Sequence, residues 1–213
     1  DLDAGGDISF ANVDADALDF EATGAVNGGD IVAFSQVGGE AQGAITLGDI
    51  TVGPGAPQPD DFSVGLASAT SITVGHVSGT DRIGFATFGD LTTGNLSASD
   101  LVMALVGGDI STGSITTDAD GRVYMADASM YIDAGGAEDE FDASLVLARE
   151  AVATAGSITI NGPVSTGLFQ AAAGDGLTAG AITAQTIEAS AGGTATLNGL
   201  WSAGDVTLAS NDI

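Results

Sequence analysis

A short phrase of the type Gly-Asp-Ile recurs along this chain of 213 residues and constrains the fold more than any other feature. Each copy puts a glycine and an aspartate before an aliphatic residue, and the copies begin at Gly6, Gly29, Gly48, Gly89, Gly108 and Gly204. Related phrases without the aspartate begin at Gly156 and Gly180. Most successive phrases lie roughly 20 residues apart, which is the repeat length of a solenoid. The sequence therefore predicts a stack of similar coils.

The residues that follow the phrases alternate between apolar and polar types. Segments 49–52 and 157–160 show the period of two that is typical of a strand with one buried side. Glycine, asparagine and aspartate stand between the strands, where the backbone has to turn corners. Strands that recur at such a regular spacing stack in parallel and in register. We predict an all-β fold, a parallel β-helix (β-solenoid) of about nine coils with roughly 19–24 residues each.

Residues 1–213 are predicted to form a single β-solenoid, and we expect it to be a segment of a longer repeat protein. Loop insertions are predicted near 53–62, where prolines cannot donate to a ladder, and near 134–143, which is rich in acidic residues. The stretch from 108 to 156 is long enough for two coils, the second around Tyr131-Ile132-Asp133. Residues 144–155 fit either a strand, which we prefer, or a short helix with apolar residues at helical spacing.

The composition narrows the range of partners. The chain has 29 acidic residues, three arginines and no lysine, which gives a formal net charge of −26. Such a charge repels nucleic acid and anionic lipid, so we expect no nucleic acid partner, and no apolar run is long enough for membrane insertion. Cysteine is absent, which excludes disulfides and thiolate zinc sites. The many aspartates suit a calcium-containing exterior, so calcium is the one cofactor considered.

The groups that catalysis requires are scarce, and the chain is not expected to be an enzyme. Acidic clusters of the kind used to cleave polysaccharides occur at Asp60-Asp61, at Asp118 and Asp120, and at Glu138 to Asp142. Cations that could neutralise a uronic acid are limited to Arg82, Arg122 and Arg149. His76 is the sole histidine, and a surface or corner position is its simplest interpretation.

Asp118 and Asp120 are the candidate metal ligands. Asp118-Ala119-Asp120-Gly121 resembles the start of a calcium loop, in which alternate aspartates converge and a glycine permits the bend. The twelfth position is Ser129 rather than glutamate, which excludes an EF-hand, and a plain Asp-Gly turn is the alternative.

Threonines follow several phrases, although Thr-x-Thr recurs too rarely to predict a paired array that would bind ice. For the coil that starts at Gly108, we predict that Ile110 points inward and Thr112 outward.

The phrases resemble the shaft repeats of filamentous-haemagglutinin-type exoproteins, the large two-partner-secreted adhesins of Gram-negative bacteria. The stretches 108–116 and 180–187 carry this resemblance best. It implies a right-handed β-helix, export to the cell exterior or surface, and a role in adhesion or in surface filaments. It transfers no catalytic or binding residues to this chain.

The sequence thus favours a structural or adhesive shaft segment of an extracellular bacterial fibre or secreted adhesin. Copies of the chain, joined end to end or laterally, and a glycan or protein receptor on a host or other surface are the expected partners. Two alternatives stay open: a polysaccharide-processing β-helix enzyme, and a calcium-stabilised surface-layer or fibre protein.

Overall fold

The computed structural model describes residues 1–55, 62–127, 156–202 and 204–212. These residues form strands and corners and contain no helix. All the strand pairs are parallel, and each strand pairs with the equivalent strand of the next coil. The predicted all-β parallel β-solenoid is confirmed.

Each coil has three sides, which we call faces 1, 2 and 3 in the order in which the chain passes through them. Face 1 contains β1 (Leu2–Ala4), β3 (Val13–Ala22), β5 (Ile31–Ala41), β8 (Val64–Ser68), β11 (Arg82–Thr87), β14 (Leu101–Val106), β17 (Arg122–Asp127), β20 (Leu168–Ala173), β23 (Thr186–Leu197) and β25 (Val206–Asp212). Face 2 contains β2 (Ile8–Ser9), β4 (Val26–Asn27), β6 (Ile45–Thr46), β9 (Ile72–Val74), β12 (Leu91–Thr93), β15 (Ile110–Thr112), β18 (Ile158–Ile160) and β21 (Leu177–Ala179). Face 3 contains β7 (Ile50–Val52), β10 (Val77–Ser78), β13 (Leu96–Ser97), β16 (Ile115–Thr116), β19 (Val164–Ser165), β22 (Ile182–Ala184) and β24 (Leu200–Ser202).

Three long strands turn a corner and serve two faces. The first residues of β3 and β5 pair on face 3 and their later residues pair on face 1. The last residues of β23 pair with β21 on face 2. With β23 included, face 2 has nine stacked strands, so the described residues form nine coils. At about 4.8 Å per coil, the stack is about 40 Å tall.

The basic repeat is the number of residues from one position on a strand to the position that pairs with it in the next coil. Ile72 pairs with Leu91, and Leu91 pairs with Ile110, so these two successive steps have the same length. The wider spacings between some phrases, such as that from Gly6 to Gly29, have a different origin. The phrase at Gly6 leads into face 2, whereas the phrase at Gly29 leads into face 3, one side further along the coil. The same local sequence therefore starts strands on more than one face.

Two steps between neighbouring coils are longer than the repeat. Ile45 pairs with Ile72, and the loop predicted near 53–62 falls in this step, with residues 56–61 outside the described residues. Ile110 pairs directly with Ile158, although the sequence between them exceeds two repeats. The prediction of a second coil between them, around Tyr131, is wrong, because these two strands are already neighbours. The insertion predicted near 134–143 and the helix or strand at 144–155 lie outside the described residues.

The core is one side chain deep and runs the length of the stack. Isoleucine, leucine and valine supply most of it, and one such residue from each face meets the others inside every coil; examples are Leu91, Leu96 and Val102. These three side chains are at most 1% exposed. Burying a side chain of this size contributes about 1.5–3 kcal/mol, so each inner coil adds to the hydrophobic stabilisation. The end coils add less, because Leu2, Val206 and Leu208 are 38%, 46% and 48% exposed.

The inside-outside assignment of the coil at Ile110 is partly wrong. Ile110 does point inward and is 1% exposed, but Thr112 is also 1% exposed and lies inside the corner. The outward residue is Ser111, because side chains two apart on a strand share a side.

Candidate functional surfaces

A column of side chains along the corner between faces 2 and 3 joins successive coils from Asn12 to Ser114. Asn12 Oδ1 accepts from the Asp30 backbone N–H at 3.0 Å, and Asp30 Oδ1 accepts from the Asp49 N–H at 3.0 Å. Asp49 Oδ1 accepts from the His76 N–H at 2.7 Å. The column continues as His76 Nδ1 accepts from the Asn95 N–H at 2.8 Å and Asn95 Oδ1 accepts from the Ser114 N–H at 3.0 Å. The side chain at this corner therefore satisfies a backbone donor that the ladders leave unpaired.

The corner between faces 1 and 2 has the same kind of hydrogen bond between a side chain and the backbone of the next coil, but in fewer coils. Asp7 Oδ1 accepts from the Ala25 N–H at 2.8 Å. Asp90 Oδ1 accepts from the Asp109 N–H at 2.9 Å, and Asp109 Oδ1 accepts from the Ser157 N–H at 2.8 Å. The aspartates of the repeated phrase therefore act as links between coils.

The glycine of the phrase makes room for this link. A Cβ at Gly48 would overlap Asp30 Oδ1, and a Cβ at Gly29 would overlap Asn12 Oδ1. The glycine N–H of one coil also donates to the glycine carbonyl of the coil before it, as from Gly48 to Gly29 at 3.1 Å. Glycine and aspartate thus recur together because the carboxylate of one coil occupies the space above the glycine of the next.

His76 lies at a corner, in agreement with the predicted surface or corner position, and it is a member of the corner column. Because Nδ1 accepts the Asn95 N–H, the neutral imidazole carries its proton on Nε2. Its neighbours in the column are Asp49 and Asn95, which make the equivalent bond with an oxygen. The histidine therefore takes a structural role that asparagine or aspartate fills in other coils.

Outward residues of face 2 form a single column of small polar side chains. The register aligns Ser9, Asn27, Thr46, Thr73, Thr92, Ser111, Thr159, Thr178 and Thr196. The threonines that the sequence grouped by phrase do not all belong here, because Thr51 and Thr183 lie on face 3 and Thr207 lies on face 1. Each short strand of face 2 offers one outward residue, so the column is one side chain wide and can display hydroxyl groups at regular spacing.

Asp118 and Asp120 lie in an exposed turn between faces 3 and 1. The Gly121 N–H donates to the Asp118 carbonyl at 3.0 Å, which closes the turn with backbone groups. No three His, Cys, Asp or Glu side chains converge to hold a metal ion in the described ranges. Calcium at Asp118 and Asp120 stays a prediction.

The other acidic clusters are divided between described and undescribed residues. Asp60-Asp61 and Glu138 to Asp142 lie outside the described residues. A groove of about 690 Å³ on the outer side of face 1, in the first coils, does collect Asp3, Asp19 and Glu21. The sequence did not point to this groove as a unit, because Asp3 lies on β1 while Asp19 and Glu21 lie on β3, in the next coil. Its described lining holds no histidine, lysine or arginine, so it offers acids but no basic side chain.

Two arginines converge on one aspartate. Arg82 Nε lies 3.0 Å from Asp100 Oδ2, and Arg122 Nη2 lies 3.2 Å from the same oxygen. The three residues belong to three consecutive coils. The arginines are far apart in the sequence, so their proximity in the structure is not evident from the sequence. Partly exposed ion pairs of this kind contribute about 0–1 kcal/mol each.

Comparison of the chain with protein-family models, curated proteins and solved structures gives no match. Within the described part of the chain, no helix has the length and apolar character needed to cross a membrane. The geometry of the solenoid itself is therefore the basis for a functional argument.

Proposed function

We propose that this chain is a structural or adhesive shaft segment of an extracellular bacterial fibre or large secreted adhesin. The observation that carries the proposal is the unbroken stacking of nine coils through three parallel ladders. Such a stack holds its ends a fixed distance apart and displays outward side chains at about 4.8 Å intervals. Reach and regular display are the properties that a shaft requires.

The outer surface supports a role in display. Face 2 presents hydroxyl and amide groups in one column, and the chain carries a formal net charge of −26 that keeps an elongated surface soluble. The resemblance of the phrases to filamentous-haemagglutinin-type repeats supports the same proposal and adds export to the cell exterior or surface. A glycan or protein receptor, and contacts between copies of the chain, belong to this proposal as partners.

Particle shape tests the proposal. Small-angle X-ray scattering of the chain at about 0.15 M salt, with negative-stain electron microscopy of the native material, should show a thin rod and uniform filaments. The scattering profile should yield one constant cross-section along a length of about 40 Å for nine coils. A compact particle without this cross-section would contradict the shaft.

A glycan panel tests the competing enzyme hypothesis on the same material. We expect no cleavage of uronic acid polysaccharides, because the described lining of the groove at Asp3 and Asp19 has no basic side chain to neutralise the substrate carboxylate. Neutral polysaccharides belong in the same panel, because their hydrolysis requires a pair of carboxylates and no cation. Cleavage that disappears on Asp19→Asn would replace the shaft proposal with a polysaccharide-processing function.

A further inference from the structure

The sole tryptophan of the chain is exposed on face 3. Trp201 lies on β24, and its side chain is 71% exposed. The register pairs Trp201 with Thr183 and Thr183 with Ser165, and both of these hydroxyl residues are exposed as well. The indole therefore stands next to a column of hydroxyl side chains that lie about 4.8 Å apart on the outside of the rod.

A groove of about 460 Å³ runs beside the indole, along the corner between faces 3 and 1. We call it the Trp201 groove, and its lining includes Thr117, Thr166, Thr183, Gln185 and Trp201. These residues lie on or directly after β16, β19, β22 and β24, which belong to four successive coils. The groove is therefore about 14 Å long. Its volume is typical of a site for a small ligand.

Hydrogen bonds between coils hold the floor of the Trp201 groove in place. Thr117 Oγ1 donates to Thr166 Oγ1 at 2.7 Å, and both residues are buried. Gln185 Nε2 donates to the Ala119 carbonyl at 2.6 Å. Ser202 Oγ donates to the Gln185 carbonyl at 2.7 Å. Because these bonds fix the side chains before a ligand arrives, binding costs less conformational entropy.

Other polar groups of the Trp201 groove remain open to a ligand. The side-chain amide of Gln185 has two N–H donors and one carbonyl acceptor, and within the described residues it uses one donor, in the bond to Ala119. The hydroxyl groups of Ser165 and Thr183 bond to no other group in the described part of the chain. A ligand that lies on the indole therefore has donors and acceptors beside it.

The absence of charge in this groove decides which ligand suits it. The chain has a formal net charge of −26, and carboxylates line both the groove at Asp3 and a hollow at Asp14 and Asp16. The described lining of the Trp201 groove contains no aspartate, glutamate, lysine or arginine. An uncharged groove on a strongly anionic rod has no group to pair with a cation, and the rod repels anions. The ligand that fits is polar and neutral.

We propose that the Trp201 groove binds a neutral saccharide. One face of a sugar ring consists of C–H groups, which stack on the π face of an indole. The hydroxyl groups at the rim of the sugar exchange hydrogen bonds with Thr183 and Gln185. A groove of about 14 Å accommodates a short chain of sugars along the rod axis. This proposal rests on the adhesive function proposed above and names its receptor as a neutral glycan.

Trp201 reports on its own occupancy, because the chain has no other tryptophan. The probes are neutral tetrasaccharides of glucose, mannose, galactose or N-acetylglucosamine, each titrated to about 10 mM. A bound probe should shift the fluorescence emission to shorter wavelength and protect the indole from acrylamide quenching, because the sugar displaces water from the ring. Tetragalacturonate should have no effect, since the rod repels it. No response to any neutral probe, or a stronger response to tetragalacturonate, would overturn the proposal.

Two threonine variants give a matched comparison. Thr183→Val removes a hydroxyl group from the groove and should weaken binding about fivefold. Thr92→Val removes an exposed hydroxyl group from face 2 and should leave binding unchanged. Equal affinity of the two valine variants for the tetrasaccharide that binds the unaltered chain would overturn the proposal.

Trp201→Ala removes the stacking surface and should abolish binding in isothermal titration calorimetry. Its circular dichroism should match that of the unaltered chain, because the indole is exposed. Binding that survives this substitution would also overturn the proposal.

The scattering measurement on the same chain separates this proposal from that of the shaft. A rod-like profile without a fluorescence response overturns the saccharide site and leaves the shaft in place. A compact profile with a response that Trp201→Ala abolishes contradicts the shaft and supports the site.

Discussion

At the scale of the residue, the corner aspartates accept hydrogen bonds from backbone N–H groups of the next coil. Asp30 is exposed and would pass for a solvated turn residue, yet its Oδ1 receives the Asp49 N–H at 3.0 Å. Because a backbone N–H without a partner costs about 1–3 kcal/mol where water cannot replace it, the acceptor matters more than the charge. Asparagine and histidine in the same column support this view, since both supply an acceptor without a negative charge.

Substitution of Asp30 separates the acceptor from the charge. Asp30→Ala should lower the free energy of unfolding by about 1 kcal/mol, because the Asp49 N–H loses its partner. Asp30→Asn keeps an acceptor oxygen and removes a like charge stacked below Asp49, so its stability should equal or exceed that of the unaltered chain. Urea unfolding monitored by circular dichroism measures both. Equal losses for Ala and Asn would mean that the carboxylate charge is what stabilises the corner.

At the scale of the strand, alternation decides which substitutions the rod tolerates. Ile110→Asp and Thr112→Asp both place a charge inside the coil and should cost about 4 kcal/mol or more. Ser111→Asp, on the same strand, points outward and should change stability by less than about 0.5 kcal/mol. Thermal unfolding of the three variants gives the comparison. A tolerated Thr112→Asp would reverse the assignment of sides in this coil.

The strands also show which parts of the fold could be predicted from the sequence. Alternation in β9 and β12 and the recurring phrase predict the parallel solenoid, because both patterns are local. The corner columns could not be predicted, since one phrase begins strands on different faces and its position alone does not identify the partner in the next coil. Strand β14 is apolar at every position, which is typical of a strand buried on both sides rather than one with a polar outer side.

At the scale of the whole molecule, the formal net charge of −26 acts against the stack. Aspartates stack about 4.8 Å apart in neighbouring coils, Asp30 with Asp49 and Asp90 with Asp109, and the excess of acids elsewhere on the rod adds to the repulsion between like charges. Dissolved salt screens this repulsion. The rod should therefore be more stable in salt, and the gain should not depend strongly on which cation supplies it.

Thermal unfolding in sodium and calcium chloride at equal ionic strength distinguishes screening from binding. The melting temperature should rise with either salt and by similar amounts, because no three acids converge within the described ranges. An Asp118→Asn, Asp120→Asn variant should respond to calcium as the unaltered chain does. A rise specific to calcium that this variant loses would instead establish a calcium site in the turn at Asp118.

The corner column between faces 2 and 3 has a mechanical consequence. Bonds between coils lie along the rod axis, so a pulling force on the two ends acts directly on them. Up to Ser114, each coil adds a hydrogen bond at this corner to the bonds of the backbone ladders, from a backbone N–H to a side chain of the neighbouring coil. The next coil has Pro163 at that position, which has no N–H to offer, and the following coils have Ala181 and Gly199, which have no acceptor side chain. Beyond Ser114 the side-chain bonds at this corner run the other way, from the amides of Asn161 and Asn198 to the carbonyls of Thr112 and Ala179. A pulling force therefore acts on one kind of side-chain bond in the first section of the rod and on another kind in the second.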